Sequence, residues 1–290
     1  MENLRKGFSM SNMRIRNMFL LVTALSVMFF LACGQSDEEC ESLQSGAYTG
    51  LIFNEIYEIE AIFEAQIDQV NCSIRGNIKI GQPLLGSGSF EGNINTNKVD
   101  FVIADKVMSN NVKYNLIFQG EVTEDSTISG TYKAPEVTQN GIWNLTLVTE
   151  DTLKESNRLL EQGEQFLDSE DYHGALESIN KAIEANPKNA GAYFLKGLLY
   201  FNLGDMEFDT SDDSNYIFSY TKAIYNYSKV IELNPNDVEA HFFRGINYYY
   251  LGNAQLSLKD FDKAIELDSN YKEAIDGRKK ILEEYPELNP

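Results

Sequence analysis

The chain is poor in the residues that most site chemistry requires. Its 290 residues include two histidines, His173 and His241, three cysteines and a single tryptophan. A supply that thin argues against a metal centre and against catalysis by a cysteine or histidine nucleophile. Positive charge is also scarce: 24 Lys and Arg stand against 44 Asp and Glu, for a net charge of −20. Such a surface repels phosphate, which draws in Lys and Arg by counterion release, so nucleic acid is excluded as a partner. Anionic lipid is not reached through charge either. No Gly-rich phosphate loop, nucleophile elbow or His-Glu-x-x-His stretch is present. The expectation is a protein without cofactor or metal that is not an enzyme.

What the chain does have begins with an address. Met18 to Leu31 is an unbroken run without charge, preceded by Arg14 and Arg16 and followed by the small residue Ala32. The run is too short to span a bilayer comfortably, which takes about 20 residues, and has the layout of a secretory signal peptide. Its end, Phe30-Leu31-Ala32-Cys33-Gly34, resembles the lipobox of bacterial lipoproteins. That resemblance implies removal of residues 1–32 and acylation of Cys33, in the palmitate class of lipid, with residues 33–45 as a tether. A signal peptide followed by a chance cysteine is the alternative. Gly34 is not the aspartate of the familiar inner-membrane retention signal. An outer-membrane lipoprotein is therefore expected, on the periplasmic face or the cell surface. Gln35-Ser36-Asp37-Glu38-Glu39 reads equally as an acidic surface-export tag or as a plain linker. Cys40 and Cys72 then remain, either as two thiols or as a disulfide that an exported protein can keep.

From Gly46 to about Thr149 the pattern has period two. Tyr57, Ile59, Ala61, Phe63, Ala65 and Ile67 alternate with mostly charged or polar neighbours, as in strands with one buried side. Turn clusters such as Gly86-Ser87-Gly88 and Ser109-Asn110-Asn111 separate about eight such runs. The arrangement predicts an antiparallel meander over 46–150 that closes into a small barrel. Glycines within the strands, at positions 76, 92, 120 and 130, suggest tight curvature. Gly88-Ser-Phe-Glu-Gly92 and Ile128-Ser-Gly-Thr-Tyr132 resemble small lipocalin-like barrels of bacterial lipoproteins. That resemblance implies a carrier of a small hydrophobic ligand as the alternative function, with the rest of the chain as its dock.

From Ser156 the period becomes helical and the sequence repeats. Leu159, Gly163, Phe166, Ala175, Ile179, Ala182 and Pro187 are followed by Tyr193, Gly197, Tyr200, Ala223, Tyr227, Val230 and Pro235. His241, Gly245, Tyr248, Ser257, Phe261, Ala264 and Ser269 form a third set. Gly163 to Gly197 is 34 residues and Gly197 to Gly245 is 48, the same period plus 14. These positions resemble the tetratricopeptide-repeat (TPR) family. The resemblance implies, over 151–290, an α-solenoid of three helical hairpins at about 156–189, 190–237 and 238–271. A capping helix over 272–285 completes it. The 14 extra residues fall between the two helices of the second hairpin. Glu207, Asp209, Asp212 and Asp213 there lack the glycine and terminal glutamate of an EF-hand, so a solvated acidic loop is expected rather than a calcium site.

In the TPR family, set positions of each first helix line a partner-binding groove. Carried over, these are Asn157, Leu160, Glu164, Leu167 and Asp168; Gly191, Phe194, Leu198, Phe201 and Asn202; and Glu239, Phe242, Ile246, Tyr249 and Tyr250. The Lys and Arg of a carboxylate clamp are missing, so an apolar and aromatic strip is expected to take a protein or peptide. The function expected is a membrane-anchored interaction module or scaffold, held to the membrane by the lipid on Cys33.

Overall fold

The computed structural model describes residues 43–55, 59–81, 84, 87–107, 113–123, 127–137, 139–209 and 215–288. Cys33, Cys40, the apolar run before them and the connection at 210–214 lie outside the described residues.

Eight strands follow one another: β1 (Gly46–Asn54), β2 (Ile59–Val70), β3 (Ser73–Ile80), β4 (Gly88–Asn95), β5 (Lys98–Val107), β6 (Lys113–Val122), β7 (Thr127–Ala134) and β8 (Gln139–Leu147). Each pairs antiparallel with the next, and β8 returns to β1 to close the barrel. The meander read from the alternating pattern is therefore the fold. Inward residues of every strand meet in one core, and large rings fill its centre. Phe101 and Phe118 stack at 4.6 Å, Phe63 and Phe118 stack at 5.5 Å, and Trp143 meets all three edge-on. The Trp143 indole donates to the Thr131 carbonyl. Gly120 and Gly130 face each other across β6 and β7, and a Cβ on Gly120 would stand 2.8 Å from the Trp143 ring. Glycine is needed there because the indole occupies the place of a side chain.

The chain enters β1 firmly held. Leu43 is buried and its amide donates to the Gln69 side chain, while the Gln69 amide donates to Ser45 Oγ. Cys72, in the turn between β2 and β3, is disulfide-bonded, and its partner lies outside the described residues.

Seven helices follow: α1 (Glu150–Asp168), α2 (Tyr172–Ala185), α3 (Ala190–Asp209), α4 (Asn215–Leu233), α5 (Val238–Tyr250), α6 (Ala254–Leu267) and α7 (Lys272–Glu284). Thr149 opens α1 with a capping box, and Asp171, Asp237 and Asn253 cap α2, α5 and α6 through their side chains. Pro187 and Pro235 follow α2 and α4, where a missing amide blocks continuation. In each hairpin the first-helix glycine receives a side chain of the second helix. Ile179 meets Gly163, Tyr227 meets Gly197 and Phe261 meets Gly245. Gly277 of α7 lies against the other edge of Phe261, so α7 takes the place of a fourth first helix and covers the end of the stack.

Part of the insertion is helical, and the rest, with Asp212 and Asp213, lies outside the described residues. α3 has 20 residues and α4 has 19, against 13 and 14 in the third hairpin. Most of the extra residues thus prolong the two helices. Gly204 lets the Tyr220 ring approach, and Phe208 meets Tyr216 at 5.1 Å, so aromatic packing zips the extension together.

Candidate partner-binding face

The barrel and the helices touch along one side of the solenoid. Ile62 lies on the outward face of β2 yet is buried, unlike an ordinary outward barrel residue. Next to it on that face, Glu64 pairs with Lys188 at the start of the second hairpin. A Cβ on Gly81 would stand 3.1 Å from the Glu232 carboxylate of α4. Burial pushes the Tyr193 and Tyr225 phenols up, with the charges of Glu60 and Glu232 adding to it. Burial lowers the Lys196 ammonium, which the charge of Glu60 partly offsets. Tyr193, Lys196, Tyr225 and Glu232 therefore mark the barrel side of the second hairpin.

The positions expected to line a groove lie elsewhere on α1, α3 and α5. Leu160 of α1 reaches Gly191 of α3, where a Cβ would meet its methyl at 2.9 Å. Asn189 bridges the same two elements by donating to Ser156 Oγ and Asn157 Oδ1. Leu160, Glu164, Phe194, Asn202 and Tyr249 are half-buried, and Asn157, Asp168 and Glu239 are exposed. These first-helix residues all reach solvent, and Leu160 ties α1 to α3 among them.

Six of the predicted groove residues are not on that face. Leu167, Leu198, Phe201, Phe242, Ile246 and Tyr250 are buried, Phe242 at 1 % exposure. Phe242 is enclosed by Phe243, Phe261 and Tyr271, the residue that precedes α7. Phe201 packs on Tyr220, Phe243 and Tyr250, and Tyr250 stacks on Tyr220 at 5.0 Å. The reason is the lengthened α3–α4 pair and the capping helix, which together turn an aromatic strip into core. Tyr249 keeps an edge at the surface, where its hydroxyl donates to Glu284 of α7 at 2.6 Å.

What remains on the face is a mixture of apolar and acidic groups. Burial raises the Glu164 carboxyl, and the charges of Asp168 and Glu161 raise it further. Desolvation raises the Glu239 carboxyl, and the charge of Asp237 adds to this. Away from the face, one buried charge cluster went unread in the sequence. Arg244 grips Asp260 with two hydrogen bonds of 2.7 Å and donates to Ser228, and His241 Nε2 lies 3.1 Å from the Pro235 carbonyl. The signal was the Arg and Asp spacing of 16 residues across one hairpin, repeated by Asp262 and Arg278. His241 is buried. No group of three His, Cys, Asp or Glu that could hold a metal occurs among the described residues.

Family models for the TPR repeat and tetratricopeptide repeat match residues 160–207, 219–252 and 238–276. No curated protein matches the chain. Among solved structures, the first TPR of Spaghetti (RPAP3) bound to an HSP90 peptide is 21% identical, with a TM-score of 0.40, covering 46% of this chain and 94% of that one. The Arabidopsis OM64 TPR domain is 19% identical, with a TM-score of 0.39, over 46% of this chain and 98% of that one. The TPR2B domain of yeast Sti1, in complex with an Hsp70 peptide, is 18% identical, with a TM-score of 0.38, over 45% and 98%. TPR repeats thus occupy the C-terminal half of the chain, between residues 160 and 276.

Proposed function

We propose that the chain is an envelope-anchored interaction module, in which lipid on Cys33 holds the barrel at a membrane and the TPR half engages a protein or peptide. The observation that carries this reading is the division of the solenoid surface. The barrel takes the side bearing Tyr193, Lys196 and Tyr225, while Leu160, Glu164, Phe194 and Asn202 stay open on the first-helix face. An uncovered surface with half-exposed apolar groups is where partners bind. The carrier alternative finds little support in a barrel whose centre is filled by Phe63, Phe101, Phe118 and Trp143. In this reading the barrel is a rigid spacer, clamped to its tether by the Cys72 disulfide, with Cys40 as the partner thiol. Neither catalysis nor a cofactor is required.

Two measurements test it. Cells fed labelled palmitate should incorporate label into the chain and lose it on Cys33→Ala; equal labelling of both forms removes the anchor. A photo-crosslinking amino acid placed at Leu160 or Phe194 should give discrete adducts in intact cells, whereas the same group at Tyr225 should not. Absence of adducts from both face positions rejects the interaction reading.

A further inference from the structure

The second hairpin departs from the charge of the molecule. Over 185–204 and 215–231 it has no Asp or Glu, although the whole chain stands at −20. Its charges there are Lys188, Lys196, Lys222 and Lys229. Several lysines of the helices are held by carboxylates: Lys154 by Glu150, Lys181 by Glu177 and Lys263 by Glu266. Lys188 and Lys229 are held in the same way, by Glu64 and Glu232. Lys222 is not. Its ammonium lies over the Phe218 ring, 5.2 Å from the centroid, and no carboxylate among the described residues pairs with it. A ring holds an ammonium in place without cancelling its charge.

The ring that holds this lysine is not needed by the stack. Ala223 takes the place of Ala175 and Ser257, each three residues into its helix, so the repeat alone would start α4 at Tyr220. Residues 215–219 are a turn that the insertion adds. Tyr216 and Ser219 of that turn are engaged with α3, through Phe208 at 5.1 Å and Glu207 at 2.7 Å. Ile217 and Phe218 stay outside that contact, 47 % and 59 % exposed. Phe218 is the most exposed large apolar side chain among the described residues. Lys222, one turn on, is exposed beside it. Further along, Lys229 is buried with Glu232, where Gly81 of the barrel comes in. The free stripe therefore runs from the start of α4 and ends where the barrel covers it.

We propose that the outer face of α4, at Ile217, Phe218 and Lys222, is a second docking surface that takes an amphipathic segment of a partner protein, with carboxylates beside apolar side chains. It is separate from the first-helix face, because α4 is the second helix of its hairpin. A carboxylate that reaches Lys222 gains a charge-assisted hydrogen bond, and apolar side chains laid on Ile217 and Phe218 remove both from water. Range decides between a peptide segment and a lipid surface. Charges are screened beyond about 8 Å at physiological salt, so a narrow segment feels only the acid-free stripe. An anionic bilayer is extended and meets the −20 of the whole molecule, as does a second copy of the chain.

The test uses the full chain in a detergent with neutral headgroups and three synthetic helical peptides of one length. They share a leucine face and differ in its flanks, which are glutamate, glutamine or lysine. Titration calorimetry should show binding of the glutamate peptide and none of the lysine peptide. The Phe218→Ser/Lys222→Gln variant should weaken it by roughly tenfold or more. Leu160→Ala, on the first-helix face, should leave it unchanged, as should Lys181→Gln on α2. Far-UV dichroism of each variant checks that the helices persist. Equal binding by wild type and the double variant, equal binding of the glutamate and glutamine peptides, or no binding overturns the proposal. Binding lost on Leu160→Ala but kept in the double variant places the peptide on the first-helix face, which overturns this proposal and supports the reading above. Self-association in sedimentation, or flotation with phosphatidylglycerol vesicles, that the double variant abolishes assigns the stripe to a second copy or to lipid and overturns it too.

Discussion

One methyl group added at Gly245 would stand 2.8 Å from the Phe261 ring, itself wedged against Gly277 from the other side. The ring has no room to retreat, so Gly245→Ala is expected to destabilise the helical half by about 1–3 kcal/mol. Gly191→Ala meets the flexible ends of the Leu160 and Asn189 side chains rather than a wedged ring, and helix propensity favours alanine by up to ~1 kcal/mol. Urea unfolding followed by far-UV dichroism should therefore give opposite signs for the two; matching losses would contradict the packing account. Asp260 supplies the test for charge. It is buried at 4 % exposure, and burial alone would raise its carboxyl. The two hydrogen bonds and the charge of Arg244, with His241 3.5 Å away, outweigh that and hold it below its ordinary value. A carboxyl depressed by folding contributes stability that is present in full above its unfolded value and lost as pH falls through the folded one. Asp260→Asn leaves Arg244 without its charge partner and should cost about 3–5 kcal/mol at neutral pH. The difference between wild type and variant should shrink below the ordinary carboxylate range. A difference that stays constant down to strong acid would show that the charge of Asp260 contributes nothing.

Elements were legible where one period runs uninterrupted. The glycine, alanine and proline positions of the three hairpins stand at their expected places because each serves a local need: close approach of two helices, or a stop. The strands were legible for the same reason, since alternation fixes which side is buried. Two things were not legible. The insertion between α3 and α4 carries Asp209, Asp212 and Asp213, and that acidic cluster reads as a loop. Yet Gly204, Phe208, Tyr216 and Tyr220 carry both helices into the insertion, up to Asp209 and from Asn215. Position by position, Phe201 and Tyr250 also read as groove. They become core because the prolonged pair brings Tyr220 against both, a contact set by three elements and visible in none of them singly. Tyr220→Ala should then reach beyond its own hairpin. The loss of a fully buried aromatic costs about 3–5 kcal/mol and should also loosen α5. Hydrogen exchange should show faster exchange in both α4 and α5; acceleration confined to α4 would mean the extension is not part of the common core.

At the scale of the molecule, the question is whether the barrel and the solenoid behave as one body. Ile62 interrupts the charged face of β2 in a way that alternation alone does not explain, since it lies outside the barrel and still has 5 % exposure. Gly81, which touches the Ile62 backbone, lies against Glu232 of α4, and the helices also meet the barrel in the Glu64–Lys188 pair and beside Tyr193 and Lys196. A contact that covers an isoleucine and several ionisable groups resists separation, because parting exposes the apolar surface and strands the charges. Each half carries its own reporter. The single tryptophan, Trp143, lies at the centre of the barrel, and far-UV dichroism is dominated by the seven helices. The two signals should lose structure together as urea rises if the contact couples the halves. Ile62→Asp places a charge in the covered position without touching either core, and should split the curves into two transitions. Should wild type and variant both give coincident curves, or both give separate ones, then Ile62 does not carry the coupling. The barrel would in that case be no platform for the face that α1, α3 and α5 present.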